Sequence, residues 1–316
     1  MQNDKPVINE KKNFRLDSPE RLLKYGIIVL DKPAGPSSHQ VAAWVRDMLG
    51  ASKCGHAGTL DPNVTGVLVI AVENATRSLF MLSRADKEYV GIMTLHSSVK
   101  RTVVEKMFKE FHGEILQMPP LKSAVKRELR PRKIHELDLL EMEGKDVLFR
   151  VRCEAGTYIR TLCHDIGEAL GTGANMQELR RIDSGGYLEG DAISLHDLKD
   201  AYVFWKEMGR DKELLQCIKP MELLFDEIPK VTVKDSAVDA LCHGADLAVP
   251  GIVKVDGNFL KGDRVALFSQ KEEVIGVGNA LMEPKKMASG SEGFAVSTSR
   301  IFMEPGTYKS HWKKKQ

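Results

Sequence analysis

Two unbroken apolar runs, Gly26-Ile-Ile-Val-Leu30 and Val67-Leu-Val-Ile-Ala-Val72, predict buried strands. The first runs into Asp31-Lys-Pro-Ala-Gly-Pro36, a turn stretch rich in breakers. Ser37-Ser38 can then cap a helix on which Val41, Trp44, Val45, Met48 and Leu49 share one face, with Gly50 as its stop. Lys87 to Leu95, Leu137 to Leu140 and Val147 to Val151 predict further strands, the last two joined by a turn at Glu143-Gly144-Lys145-Asp146. Thr157 to Leu170 predicts a helix capped by Thr157 and closed by Gly171, and Met176 to Ile182 a shorter helix. Strands and helices mix without regular βαβ alternation, which indicates an α+β fold.

The pattern changes after about residue 225. Short strands with frequent glycine follow: Val231–Val233, Gly251–Val255, Asp263–Ser269, Val274–Leu281 and Gly293–Phe302. One small helix, Asp235 to His243, is capped by Asp235 and stopped by Gly244. This is the pattern of a compact, mostly-β module of about 75 residues. At roughly 150 residues per domain, 316 residues also predict two domains. The expected limits are a polar extension over 1–24, a mixed-sheet domain over 25–225, the small β module over 229–305 and a basic tail over 306–316.

Composition narrows the class. The longest apolar run, Val67 to Val72, is far short of the ~20 residues of a membrane helix, and the polar first residues have no signal core. Five scattered cysteines argue for a reducing compartment, so a cytoplasmic location is expected. Net charge is only +2, but six basic residues (Lys122, Lys126, Arg127, Arg130, Arg132 and Lys133) face one acid, Glu128, within twelve positions. Such a cluster suits either a solvated face or phosphate contacts.

Several chemistries are excluded by spacing. There is no GxxxxGK[ST], no GxGxxG and no CxxC. Cys54-x-His56 lacks a second ligand pair at zinc spacing, and Cys163-His164-Asp165 cannot converge on one helix face. The run Gly55-His-Ala-Gly-Thr-Leu-Asp-Pro-Asn-Val-Thr-Gly66 is the densest in special residues. Pro62 pushes Asp61 out of the α region and presents its carboxylate at the end of a tight loop. An Asx-turn needs the same residues, so both readings stay open. In Gly156-Thr-Tyr-Ile-Arg160, Tyr158 and Arg160 fall in a first helical turn, where Arg160 can pair with a carboxylate or phosphate and Tyr158 can offer a face to a base. Tyr89 stands early in a strand.

Taken together, these segments resemble the TruB/dyskerin family of RNA pseudouridine synthases. The string Gly55–Gly66 is similar to the family's catalytic motif, and Gly26–Pro33, Lys87–Tyr89, Gly156–Arg160 and Glu178-Leu-Arg-Arg-Ile182 to its other motifs in order. Residues 229–305 resemble a PUA domain. Pro119 to Ile134 and the extension 1–24 are closer to the dyskerin branch in its archaeal form than to the bacterial tRNA enzyme. The resemblance implies isomerisation of uridine to pseudouridine in rRNA and, in some cases, tRNA. The partners implied are a box H/ACA guide RNA, substrate RNA, Nop-type and Gar-type accessory proteins and a kink-turn-binding protein; no cofactor or metal is implied. A standalone tRNA synthase acting without a guide is the alternative.

The resemblance also assigns roles. Asp61 matches the catalytic aspartate, either as a nucleophile at C1′ or as a base at C2′; sequence leaves both open. Arg160 matches the arginine that pairs with it, Tyr89 the aromatic that stacks on the base, Tyr158 a pocket residue and Leu179 an apolar wall. His56 matches a residue that occupies the space left by the extruded nucleotide, and Lys32 a phosphate contact. The basic run 122–133 is expected to be a loop over the RNA.

Overall fold

A computed structural model describes residues 18–119, 126 and 128–310. These described residues divide into two compact units, one within 23–221 and one of 18–22 together with 222–310. In the larger unit the strands are β1 (Gly26–Lys32), β2 (Cys54–Ala57), β3 (Thr65–Val72), β4 (Lys87–Leu95) and β5 (Gly113–Gln117). They continue as β6 (Arg130–Glu143), β7 (Asp146–Cys153), β8 (Ala174–Ser184), β9 (Tyr187–Leu188) and β10 (Lys219–Pro220). Helix α1 (Pro19–Tyr25) precedes them. Helices α2 (Ser38–Leu49), α3 (Arg101–Glu110), α4 (Ile159–Ala169), α5 (Leu195–Met208) and α6 (Lys212–Cys217) lie between strands.

These strands form one sheet in the order β10-β1-β3-β8-β4-β7-β6-β5, with β2 on β3 and β9 on β8. Strand β3 is apolar from Gly66 onward because it is buried along its length. Strand β4 instead alternates, sending Tyr89, Met93 and Leu95 into a core shared with Leu60, Phe149, Ile159 and Leu162. Helix α2 begins where expected: Ser37 caps it reciprocally with Gln40, and Gly50 ends it. Trp44, however, is 41 % exposed and lies outside the buried stripe of Val41, Val45 and Leu49.

Two further expectations are corrected. Met176 to Ile182 is not a helix but part of β8, the strand between β3 and β4. Met176, Leu179 and Ile182 mimic helical spacing because two register shifts against β4, at Glu88/Tyr89 and Ile92/Met93, break the strand's alternation. Thr157 does not cap α4: its hydroxyl donates to Glu154 O, and the N-cap position falls to Tyr158.

The second unit contains β11 (Lys230–Val233), α7 (Asp235–Cys242), β12 (Leu247–Ala248), β13 (Ile252–Asp256), β14 (Arg264–Phe268), β15 (Val274–Ala280), α8 (Pro284–Ser289) and β16 (Phe294–Ile301). Its sheet runs β12-β16-β15-β14-β11-β13 around a core that includes Val231, Val265, Leu267, Ile275 and Val296. Asp235 is the first residue of α7 rather than its cap, which is Lys234. The architecture is α+β, a mixed sheet with helices and a small mostly-β module. Among the described residues no helix is long and apolar enough to cross a membrane.

Candidate active site

The loop from Gly58 to Val64, between β2 and β3, is held at successive residues. Gly58 O accepts from the Arg181 guanidinium at 2.9 Å. The Ser38 hydroxyl, at the start of α2, accepts from Leu60 N at 2.8 Å and donates to Leu60 O at 3.0 Å. Pro62 O accepts from Lys32 Nζ and from Gly35 N, each at 2.9 Å, while Asp61 O closes a turn with Val64 N. Leu60 and Val64 are buried on either side of Asp61. A loop braced in this way holds the Asp61 carboxylate, about half exposed, ahead of β3.

Arg160 meets it there, its Nη2 donating to Asp61 Oδ2 at 2.5 Å. The two are 99 residues apart in sequence. Arg160 reaches this position because β5 anchors the start of α4. Buried Gln117 accepts from Tyr158 N at 3.0 Å and donates to Tyr158 O at 3.1 Å, and Arg132 donates to Gly156 O at 3.0 Å. An exposed pair of this kind contributes little to stability, so its evident effect is orientation of the carboxylate.

Behind Asp61 the floor is buried and basic. Lys32 is fully buried at the end of β1; desolvation pushes its pKa down, with the Asp61 charge opposing. Lys87 donates to Leu82 O and Ala85 O, and burial, followed by the neighbouring Arg181 charge, lowers its pKa to about 8. Tyr89 lies in β4 directly opposite Arg181 of β8, and Leu179 lies opposite Gly91. Burial pushes the Tyr89 phenol above its ordinary pKa, against the lowering effect of Arg181. His56, on β2, packs edge-on against His39 with ring centroids 4.7 Å apart, and neither ring nitrogen has a hydrogen-bond partner among the described residues. Desolvation, then the neighbouring His39 and Arg181, lowers its pKa to about 4, so the ring is neutral at physiological pH.

Comparison with known proteins follows this geometry. Residues 46–159 match the model of the TruB family pseudouridylate synthase N-terminal domain, and residues 160–226 that of the tRNA pseudouridylate synthase B C-terminal domain. Residues 229–302 match the PUA domain and residues 19–42 the DKCLD domain. The probable tRNA pseudouridine synthase B of Methanocaldococcus jannaschii is 55 % identical over 94 % of this chain and 88 % of its own. That of Methanopyrus kandleri is 54 % identical over 93 % and 87 %. The chain belongs to the TruB family of pseudouridine synthases.

Solved structures agree with that placement. A chain from a Cbf5-Nop10-Gar1 complex superposes with TM-score 0.82 at 50 % identity, covering 92 % of this chain and 88 % of that one. A chain from an H/ACA RNP bound to a substrate RNA containing 2′-deoxyuridine superposes at 0.83 with 47 % identity, covering 94 % and 90 %. Among the residues singled out from the family's motifs, Asp61 pairs with Arg160, Lys32 lies beneath the loop, and Tyr89 and Leu179 share a core cluster with Leu60 and Val64.

The basic run is the exception. Arg130, Arg132 and Lys133 belong to β6, where cross-strand pairing with β5 (Gln117↔Arg130, Ile115↔Arg132, Glu114↔Lys133) extends the chain instead of leaving a loop. Arg132 is engaged by Glu154 as well as Gly156 O, and Lys126 by Glu128. Lys122 and Arg127 lie outside the described residues. Sequence reasoning passed over Ser38, Gln117 and Arg181, all three buried polar residues of the site. Only Arg181 left a signal, as an arginine inside a motif already quoted.

Proposed function

We propose that this pseudouridine synthase isomerises uridines chosen by a guide RNA, as the catalytic subunit of an archaeal H/ACA-type ribonucleoprotein, with Asp61 as the acting carboxylate. The observation that carries the assignment of Asp61 is its ion pair with Arg160 at the tip of a loop held by Ser38, Lys32 and Arg181. Guide dependence is supported by the likeness to chains solved within H/ACA complexes, over 92–94 % of this chain. Those complexes also support substrate RNA and Nop-type and Gar-type proteins as partners, and the family resemblance adds a guide RNA and a kink-turn-binding protein. The relatives named as probable tRNA pseudouridine synthase B favour tRNA instead, which makes guide-free tRNA modification the second reading.

The reaction breaks the C1′–N1 bond of uridine and forms C1′–C5. C5 loses a proton and N1 gains one, so no electrons are transferred. Asp61, kept oriented by Arg160, acts at the sugar. The Tyr89 ring stacks on the base, and its phenol, kept protonated by burial, can donate a hydrogen bond to the uracil as it detaches. Leu179 and Tyr158 border that pocket, and neutral His56 takes the place vacated in the RNA. Lys32 braces the loop and adds positive charge beneath it. The smaller β module grips RNA through shape and sugar–phosphate contacts.

The test is pseudouridine formation on a target RNA by the chain with matched guide and accessory proteins, beside Asp61→Asn. Guide-dependent product that disappears in Asp61→Asn is expected. Equal product on bare tRNA, with no gain from guide or accessory proteins, would replace the reading by the standalone one. Undiminished product from Asp61→Asn would remove Asp61 from its role.

A further inference from the structure

Arg181 is the largest fully buried side chain described, 1 % exposed, and its charge needs explaining. A buried guanidinium ordinarily pairs with a carboxylate, because its desolvation is otherwise costly. Arg181 instead donates Nε to Val67 O at 2.7 Å and Nη2 to Gly58 O at 2.9 Å, and it stands beside Tyr89, its direct partner across the β4–β8 ladder. Each of these neighbours belongs to a different element: Val67 to β3, Gly58 to the loop that carries Asp61, and Tyr89 to β4.

The backbone enforces this arrangement. Tyr89 and Arg181 are direct partners across the antiparallel β4–β8 ladder, so their side chains share a face. A register shift between Glu88 and Tyr89 sets that pairing, and the parallel pairing Gly66↔Arg181 fixes the other edge. Gly58 lies so close that a Cβ there would stand 3.2 Å from Arg181 Nη1 and 3.5 Å from Lys87 Cε. With φ at +70°, Gly58 lets the loop lie directly on the guanidinium. Nearby Lys87 adds like charge, so a fold seeking stability alone would gain by an apolar residue at 181.

We infer that Arg181 is a positioning residue for the reaction: by holding Gly58, Val67 and the Tyr89 hydroxyl together, it fixes the Tyr89 ring relative to the loop that presents Asp61. One donor array thereby couples the group that acts on the sugar to the group that receives the base. This inference rests on the roles proposed above for Asp61 and Tyr89. Lysine at 181 keeps the charge but cannot span three acceptors with a planar fork, so the coupling loosens while the positive floor remains.

The experiment measures single-turnover pseudouridylation and RNA affinity, with guide and accessory proteins present, for wild type, Tyr89→Phe, Arg181→Lys and the double variant. Arg181→Lys is expected to slow the step by about 10- to 100-fold, the effect of a small misplacement, while affinity stays within about threefold. In the Tyr89→Phe background the same change is expected to cost less than a third of that factor, because the shared contact is already gone. Penalties that simply multiply, or lost affinity with an intact rate, would overturn the inference.

A second measurement needs no change at position 181. In protein labelled with 15N-arginine, the solvent-protected guanidinium signals of Arg181 are expected to shift in Tyr89→Phe, and unshifted signals would equally overturn the inference. A Tyr89→Phe enzyme with wild-type rate would sink the role of Tyr89 itself, and the guanidinium signals would then still decide the contact.

Discussion

Ser38→Ala tests how the loop is held. The hydroxyl makes two hydrogen bonds to the main chain of Leu60, the residue before Asp61, in a fully buried setting. Alanine leaves Leu60 N–H and C=O without their partner, and each orphaned buried group costs about 1–3 kcal/mol. Alanine's better helix propensity in the first turn of α2 returns at most about 0.5 kcal/mol. The net loss is about 1.5–6 kcal/mol, which for a unit of this size lowers the melting temperature by roughly 3–24 °C. Because the freed segment carries Asp61, the single-turnover rate should also fall about tenfold or more. Scanning calorimetry and pseudouridine formation on the same preparation measure both effects. A melting point within about 2 °C of wild type, together with an unchanged rate, would refute the reasoning.

Gly66→Ala should be far more damaging than its volume suggests, since a Cβ at φ +98° would stand 2.2 Å from Arg181 O. Gly113→Ala, at φ +97° with open space around it, isolates the cost of the backbone angle alone, about 1–2 kcal/mol. Thermal unfolding should rank the two clearly apart, and equal losses would remove the role of the close β3–β8 approach. His56 predicts a pH effect of definite sign. Its pKa falls from an ordinary 6.5 to about 4 in the folded protein. Between those values the unfolded chain binds the extra proton, so stability is lost as pH falls from about 6.5 to about 4. After allowance for solvent screening the loss is on the order of 1–2 kcal/mol. Denaturant titrations of wild type and His56→Asn over that window should show a flatter profile in the variant; parallel profiles would contradict the assignment.

Local features were legible in the sequence because they depend on neighbours alone. The Ser37 cap, the Gly50 stop, the apolar β3 and the β6–β7 turn each follow from a few adjacent residues. The motif strings likewise announced Asp61 and Arg160, since each lies in a run of unusual composition, whereas Tyr89 came from the family resemblance alone. Where local spacing was misleading, tertiary pairing decided. Met176, Leu179 and Ile182 read as a helix until two register shifts against β4 are seen, and the basic residues 130–133 read as a loop until β5 pairs with them.

Most contacts between distant segments were beyond local pattern. Only the family resemblance paired Arg160 with a residue 99 positions away, and nothing near Ser38 or Gln117 indicates that each would hold the backbone of a site residue. The sequence by itself marked Asp61 and Arg160 as candidates and predicted most of the strands and turns, because covalent neighbours set backbone preference. The tertiary structure alone decided the sheet order and the burial of Arg181 between Gly58, Val67 and Tyr89. Those depend on which strands bury each other's apolar faces, a choice made by the whole chain at once.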